Sequence, residues 1–309
     1  MGVLSTGNRT ILRICCKKTL LQPQTLVVTI KFTQTGLESR PATHYVGKPL
    51  LVRQVLDSTN RFALDWIAAK TRPDGEDAAP TEGTAIMALE QPAGRGQYGT
   101  SWATEPGAGL ALSVIFYPGF LPAREAFRLN VALSLGVWDA LRGLIAHSNC
   151  AEDWSVKWPN DLYAGSRKVA GLLLENGIAN NHLTHSVLGI GLNVNQMQFP
   201  AELPNPVSLR QLDGQERDLQ EVAFRLCEAL EPRYEQLRQG AWLALKRQYL
   251  QALWGYGEKR FFQRNTPAGP EVFEGVIAGV EDSGELAVDC QGVLKRFRFK
   301  EVIQLVEQP

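Results

Sequence analysis

Two apolar runs, TAIMALEQ at 84–91 and LALSVIF at 110–116, enclose the loop EQPAGRGQYGTSW at 90–102, and no other feature limits the fold as strongly. Short aliphatic runs bounded by turn residues read as buried strands, so a sheet must carry a glycine-rich connection at one of its ends. Gly94, Gly96 and Gly99 reach backbone angles closed to other residues, which lets successive N–H groups converge on one negative oxygen. Arg95 adds a permanent planar cation suited to carboxylate or phosphate. The loop is no Walker A motif, because no Gly-Lys-Ser/Thr follows, and no dinucleotide fingerprint, because its glycines do not run into a helix. A plain hairpin connection with an incidental arginine would use the same residues.

The rest of the chain supplies an α+β frame for this loop. LDSTNRFALDWIAA (56–69) has helical spacing of Phe62, Trp66 and Ile67, with Ser58 or Thr59 at the N-cap. EAFRLNVALSLGVWDALRGLI (125–145) predicts a long helix packed on a sheet. Strands are expected at 154–158, 168–175 and 185–195, and helices at 218–239 and 241–254. After Gly255 only short β-runs follow, separated by the turns EDSG and DCQG. The expected organisation is an N-terminal extension at 1–47, a mixed-sheet domain at 48–255 and a small β-barrel-like domain at 256–309. The extension has no acidic residue before Glu38 but carries Arg9, Arg13, Lys17, Lys18 and Lys31. It reads as a disordered or non-native extension, with an organelle transit peptide as the alternative.

Charge and cysteine usage narrow the function. Lys+Arg and Asp+Glu both number 32, so the chain offers no electrostatic footprint for DNA or an anionic membrane. Five scattered cysteines without a CxxC pair fit reduced thiols and a cytoplasmic setting. His182 and His185 read as solvated loop residues rather than metal ligands. No run approaches the ~18 apolar residues of a membrane span.

Two more stretches carry chemistry. In VKWPNDLYAGSRKVAGLLLE (156–175), Pro159 fixes a polar turn in which Asp161 either caps the backbone or holds a lysine or hydrated magnesium. Lys168 opens an apolar strand, where an ammonium is costly unless an anion neutralises it. In GIGLNVN (189–195), Gly189, Gly191 and Asn193 interrupt a buried strand and suggest close approach by a ligand or another backbone, with packing alone as the alternative.

Taken in order, DSTN, EQPAGRGQYGTSW, KWPNDLY with RKVAGLLLE, GIGLNVN and the β tail resemble biotin protein ligases over roughly Leu50–Val306. The resemblance implies an α+β catalytic domain with a mixed sheet, followed by an SH3-like barrel. It also implies a two-step reaction: biotin and ATP, with Mg2+, give biotinyl-5′-AMP, and the acyl group then passes to a lysine of the biotin carboxyl carrier protein of acetyl-CoA carboxylase. On this resemblance Ser58, Thr59 and Asn60 lie along the biotin rings with Gln91. Arg95, with Gly94 and Gly96, holds carboxylate and phosphate; Gln97 and Gly171 line the same ligand. Lys168 sits between carboxylate and α-phosphate and, with Arg95, is the expected catalytic residue. Asp161 is a candidate for Mg2+ or lysine positioning, Trp102 for packing near adenine, and Asn193 for the nucleotide side.

Many members carry arginine where this chain has Gln97, and often another at Thr100, so weaker retention of the adenylate is expected here. Residues 1–47 are too short and irregular for the helix-turn-helix domain of the repressor members, so no DNA partner is expected. Neither is a membrane partner, while the resemblance leaves room for a weak homodimer. The rival readings are a lipoate or octanoate ligase or transferase of the same fold, and a non-catalytic biotin-binding module.

Overall fold

In the computed structural model, residues 41–72, 78–94, 96, 102, 105–146, 153–266 and 269–306 are described. The expectations for Arg95, Gln97, Thr100 and residues 1–40 lie outside them. A seven-stranded sheet is built from β1 (Leu50–Val55), β2 (Ala85–Glu90), β3 (Gly109–Phe116), β4 (Trp154–Lys157), β5 (Asp161–Ala164), β6 (Arg167–Ala179) and β7 (His182–Asn193). Its order is β1-β2-β3-β7-β6-β5-β4. Only β1 and β2 pair in parallel, and helix α1 (Thr59–Ala69) makes the crossover that such a pair requires. The sheet is therefore mixed, as expected from the resemblance.

The two-residue period of β3 decides what each face of this sheet does. Leu110, Leu112, Val114 and Phe116 join the main core on one face, whereas Ile115 packs with Ala63, Ile86 and Val187 on the α1 side. The main core is covered by α2 (Ala126–Ile145) and α4 (Leu219–Arg238). Gly136 of α2 lets the two helices close on each other, since a Cβ there would stand 3.0 Å from the Leu230 Cα. A short capped helix α3 (Leu209–Asp213) precedes α4, and α5 (Trp242–Ala252) follows it.

The C-terminal strands β8 (Lys259–Thr266), β9 (Gly269–Val280), β10 (Leu286–Cys290), β11 (Val293–Phe297) and β12 (Ile303–Gln304) form an antiparallel, SH3-like sheet in the order β11-β10-β9-β8-β12. It is tied to the larger sheet by an aromatic joint. Phe299 lies 5.2 Å from the Trp158 ring and 6.0 Å from Phe127, and the Trp158 indole N–H donates to the Gly284 carbonyl at 2.9 Å.

Three details depart from the sequence reading. Strand β1 falls where the sequence reading places no element, and so does β5, whose Asp161–Ala164 follow the KWPND turn and pair with β4 and β6. His182 and His185 stand at the start of β7 rather than in a loop; the hairpin turn is made by Asn180 and Asn181, both with positive φ. Residues 41–47, placed within the extension, are packed: Val46 is fully buried, and the backbone N–H groups of His44, Tyr45 and Val46 all donate to the Glu231 carboxylate.

Candidate active site

On the α1 face of the sheet, two successive register rows are made of small residues. Gly171, Gly191, Ala111 and Ala88 form one; Gly189 and Ser113 sit in the next, beside Leu173. The row between them, Leu172, Ile190, Leu112 and Met87, points to the opposite face and packs in the core. The sheet is thus thick with side chains on one face and bare on the other, which leaves a cavity of about 470 Å³.

The N-terminus of α1 closes one end of this cavity. Ser58 is the N-cap and accepts from the Arg61 N–H at 3.4 Å, leaving Thr59 and Asn60 in the first turn, directed at the bare face. The Thr59 N–H donates to Gln91 Oε1 at 2.7 Å. Ser113 Oγ stands 2.7 Å from Thr59 Oγ1 and 2.6 Å from Asn60 Oδ1. One hydroxyl proton serves one acceptor at a time, so when Ser113 donates to the Asn60 amide the Thr59 hydroxyl supplies the other proton. The Asn60 amide NH2 donates to Glu175 at 2.8 Å. Gly189 makes room for this amide, because a Cβ there would press on Asn60 itself.

The other end is charged. Asn160 is fixed to β6 through its backbone and its side-chain amide, both bonded to Leu172, and Asn130 of α2 donates to the Pro159 carbonyl at 3.0 Å. This holds the turn so that Asp161 reaches Lys168, Oδ1 to Nζ 2.8 Å. Trp102 lies between the two ends. Its ring rests on Gly191 and Gly171, with the Lys168 ammonium 5.7 Å from the ring centroid, and its buried indole N–H has no hydrogen-bond partner among the described residues. The close approach expected at Gly189 and Gly191 is therefore made by side chains, those of Asn60 and Trp102.

Ser58, Thr59, Asn60, Gln91, Gly96, Trp102, Asp161, Lys168 and Gly171 all line the cavity. Gly94 stands behind it, its carbonyl accepting from the Trp102 N–H at 2.9 Å. Asn193 is buried outside the lining and donates to the Val207 carbonyl at 3.2 Å, so its amide anchors the segment that follows β7. Lys157 and Asn160, inside the KWPND motif, also line the cavity, although the sequence assigns them no part in the site. The wall formed by Phe299, Lys300, Val302, Ile303 and Gln304 carries no signal in its own sequence.

Residues 53–193 match the Biotin/lipoate A/B protein ligase family. The biotin–(acetyl-CoA-carboxylase) ligase of Mycobacterium tuberculosis is 34% identical over 215 residues, covering 69% of this chain and 76% of that protein. The chain belongs to the biotin protein ligases. A bifunctional ligase/repressor of Bacillus spizizenii is 27% identical over 86% of this chain and 77% of its own length. The biotin protein ligase of Aquifex aeolicus, solved in complex with biotin and ATP, superposes with a TM-score of 0.64 at 23% identity, over 83% of this chain and 98% of that one. That likeness shows the shared biotin protein ligase fold.

In this biotin protein ligase the bare floor is open to a direct test. A Cβ at Gly191 would collide with the Trp102 ring, and overpacking of this kind costs about 1–3 kcal/mol. Gly191→Ala is expected to displace Trp102 and to slow adenylate formation roughly 10-fold, the equivalent of about 1.4 kcal/mol. Tryptophan emission reads the displacement; an unchanged spectrum with full activity would show that the ring has another place to go.

Proposed function

We infer that this chain activates biotin with ATP and transfers the biotinyl group to a lysine of a biotin carboxyl carrier protein, that of acetyl-CoA carboxylase. The observation that carries the inference is one cavity with a neutral hydrogen-bonding cluster at one end and the Lys168–Asp161 pair at the other. Biotin has the same polarity: a ureido ring with N–H donors and a carbonyl acceptor at one end, a carboxylate at the other. In the first step a carboxylate oxygen attacks the α-phosphorus, the acyl phosphate bond forms, and the Pα–O bond to pyrophosphate breaks with its electron pair. In the second a lysine amine attacks the acyl carbon and AMP leaves. Both steps bring anions together, so fixed cations and donors serve better than a nucleophilic side chain. Lys168 lies where it lowers the repulsion between carboxylate and phosphate.

Asp161 is the only carboxylate on the described lining, and no cluster of three metal-ligating side chains occurs among the described residues. A single carboxylate suits Mg2+, which is commonly held by one or two carboxylates together with substrate phosphates and water. Magnesium would neutralise phosphate charge, and Asp161 would hold it after releasing Lys168.

The rival acids, lipoate and octanoate, share the carboxylate but lack the ureido group. Bound in this cavity they would lay an apolar chain against Thr59, Asn60 and Gln91 and forgo the hydrogen bonds that a ureido group can exchange with that cluster, each worth about 0.5–1.5 kcal/mol. Biotin-dependent ATP–pyrophosphate exchange, measured beside lipoate and octanoate, tests the reading, and addition of a carrier domain tests the transfer. Exchange with lipoate or octanoate alone would overturn the choice of biotin, and no exchange with any acid would favour a binding module.

A further inference from the structure

The described lining carries three lysines, Lys157, Lys168 and Lys300, against one carboxylate, Asp161. Asp161 is engaged with Lys168, and Lys157 enters no ion pair among the described residues. Instead its ammonium is held between two aromatic faces, 5.0 Å from the ring centroids of both Tyr163 and Trp254. Trp254 in turn faces the Arg260 guanidinium at 4.7 Å. Such a frame fixes a cation in position without neutralising it.

The sheet register says where this cation lies. Lys157, Asp161, Gly171 and Gly191 stand side by side in one row across β4, β5, β6 and β7. With about 4.8 Å between strands, Lys157 is roughly 10 Å from the Gly171 floor, beyond the Asp161–Lys168 pair as seen from Thr59 and Asn60. If the carboxylate of the acid meets the α-phosphate at Lys168, the chain of phosphates that continues outward meets Lys157 next.

We propose that Lys157 binds the polyphosphate end of ATP and remains with it as pyrophosphate leaves. The proposal deepens the adenylation reading and rests on it. When the Pα–O bond breaks, its electron pair goes to pyrophosphate, and the Lys157 ammonium offsets part of the charge that this places on the leaving group. The electrostatics around the residue agree. Burial pushes its pKa down to about 8, opposed by Asp161 and reinforced by Lys168. The groups facing it are Asp161 and Tyr163 of β5 and Lys168 of β6, with Arg260 of β8 behind Trp254.

The test is calorimetric binding of magnesium pyrophosphate to the full chain, with biotin binding and thermal stability measured alongside. Lys157→Met should weaken pyrophosphate on the order of 10-fold, leave biotin affinity unchanged, and not lower thermal stability, because it removes an unneutralised cation. Lys157→Arg, which keeps the positive charge, should retain most of the pyrophosphate affinity. Equal pyrophosphate affinity in Lys157→Met, a parallel loss of biotin affinity, or a loss in Lys157→Arg as large as in Lys157→Met would each overturn the proposal. Absence of biotin-dependent exchange in the wild type would instead count against the ligase reading, since the pyrophosphate measurement needs no turnover.

Discussion

Lys168→Ala is expected to lower biotin-dependent ATP–pyrophosphate exchange by on the order of 10²-fold or more, with a much smaller effect on biotin affinity. Removing one preorganised charge at a reacting oxygen typically has that effect on turnover. The loss combines two causes, because alanine deletes the cation and also leaves the Asp161 carboxylate, 2.8 Å away in the wild type, facing the incoming phosphate. The double variant Lys168→Ala/Asp161→Asn separates them: recovery of part of the exchange would measure the repulsion from Asp161, and no recovery would assign the whole loss to the missing ammonium. Lys168 lies at the rim of a half-open site rather than in the core, so thermal stability should change little. Wild-type exchange in Lys168→Ala would remove this residue from the reaction.

The second large effect concerns stability. Glu231 is 5% exposed and accepts the N–H groups of His44, Tyr45 and Val46 at 2.7–2.9 Å. Burial alone would raise its pKa, but the three N–H donors overcome that and hold the carboxyl below its ordinary value. Glu231→Ala strands three donors at once and is expected to cost roughly 3 kcal/mol, or roughly 5–10 °C in Tm. The sign of its pH dependence follows from the lowered pKa. The carboxylate contributes its full stabilisation above the unfolded value of about 4.3 and loses it as pH falls through the lower folded value. The gap in Tm between wild type and variant should therefore close in acid. Truncation gives an independent check: a chain starting at residue 41 keeps these bonds, whereas one starting at residue 48 loses them together with the buried Val46 and should melt lower. Equal melting of the two truncations would show that the segment contributes nothing.

Much of the site was legible because its residues come in short local runs. DSTN places a cap and two polar side chains in one helical turn, KWPND with RK brings a carboxylate and a lysine onto adjacent strands, and GIG leaves two bare positions two residues apart on one face. Spacing along the chain then predicts spacing in space, since the helix and strand periods are fixed. Asn193 shows the limit of that logic. It lies on the same strand and at the same spacing as the glycines, yet its amide is consumed by the Val207 carbonyl from a segment whose path β7 does not dictate.

By itself the sequence determined the family, the α+β class, the order of the main helices and strands, and the small residues that hollow out one face. All of these depend on side-chain type and local period. The tertiary structure alone decided how the C-terminal tail walls the cavity, how Trp254 clamps Lys157 from 97 residues further along the chain, and how Glu231 gathers the backbone of residues 44–46 across 185 residues or more. Such contacts join segments whose separation in sequence carries no geometric information until the core has folded around them, and a buried charge reveals its role only through the groups that surround it.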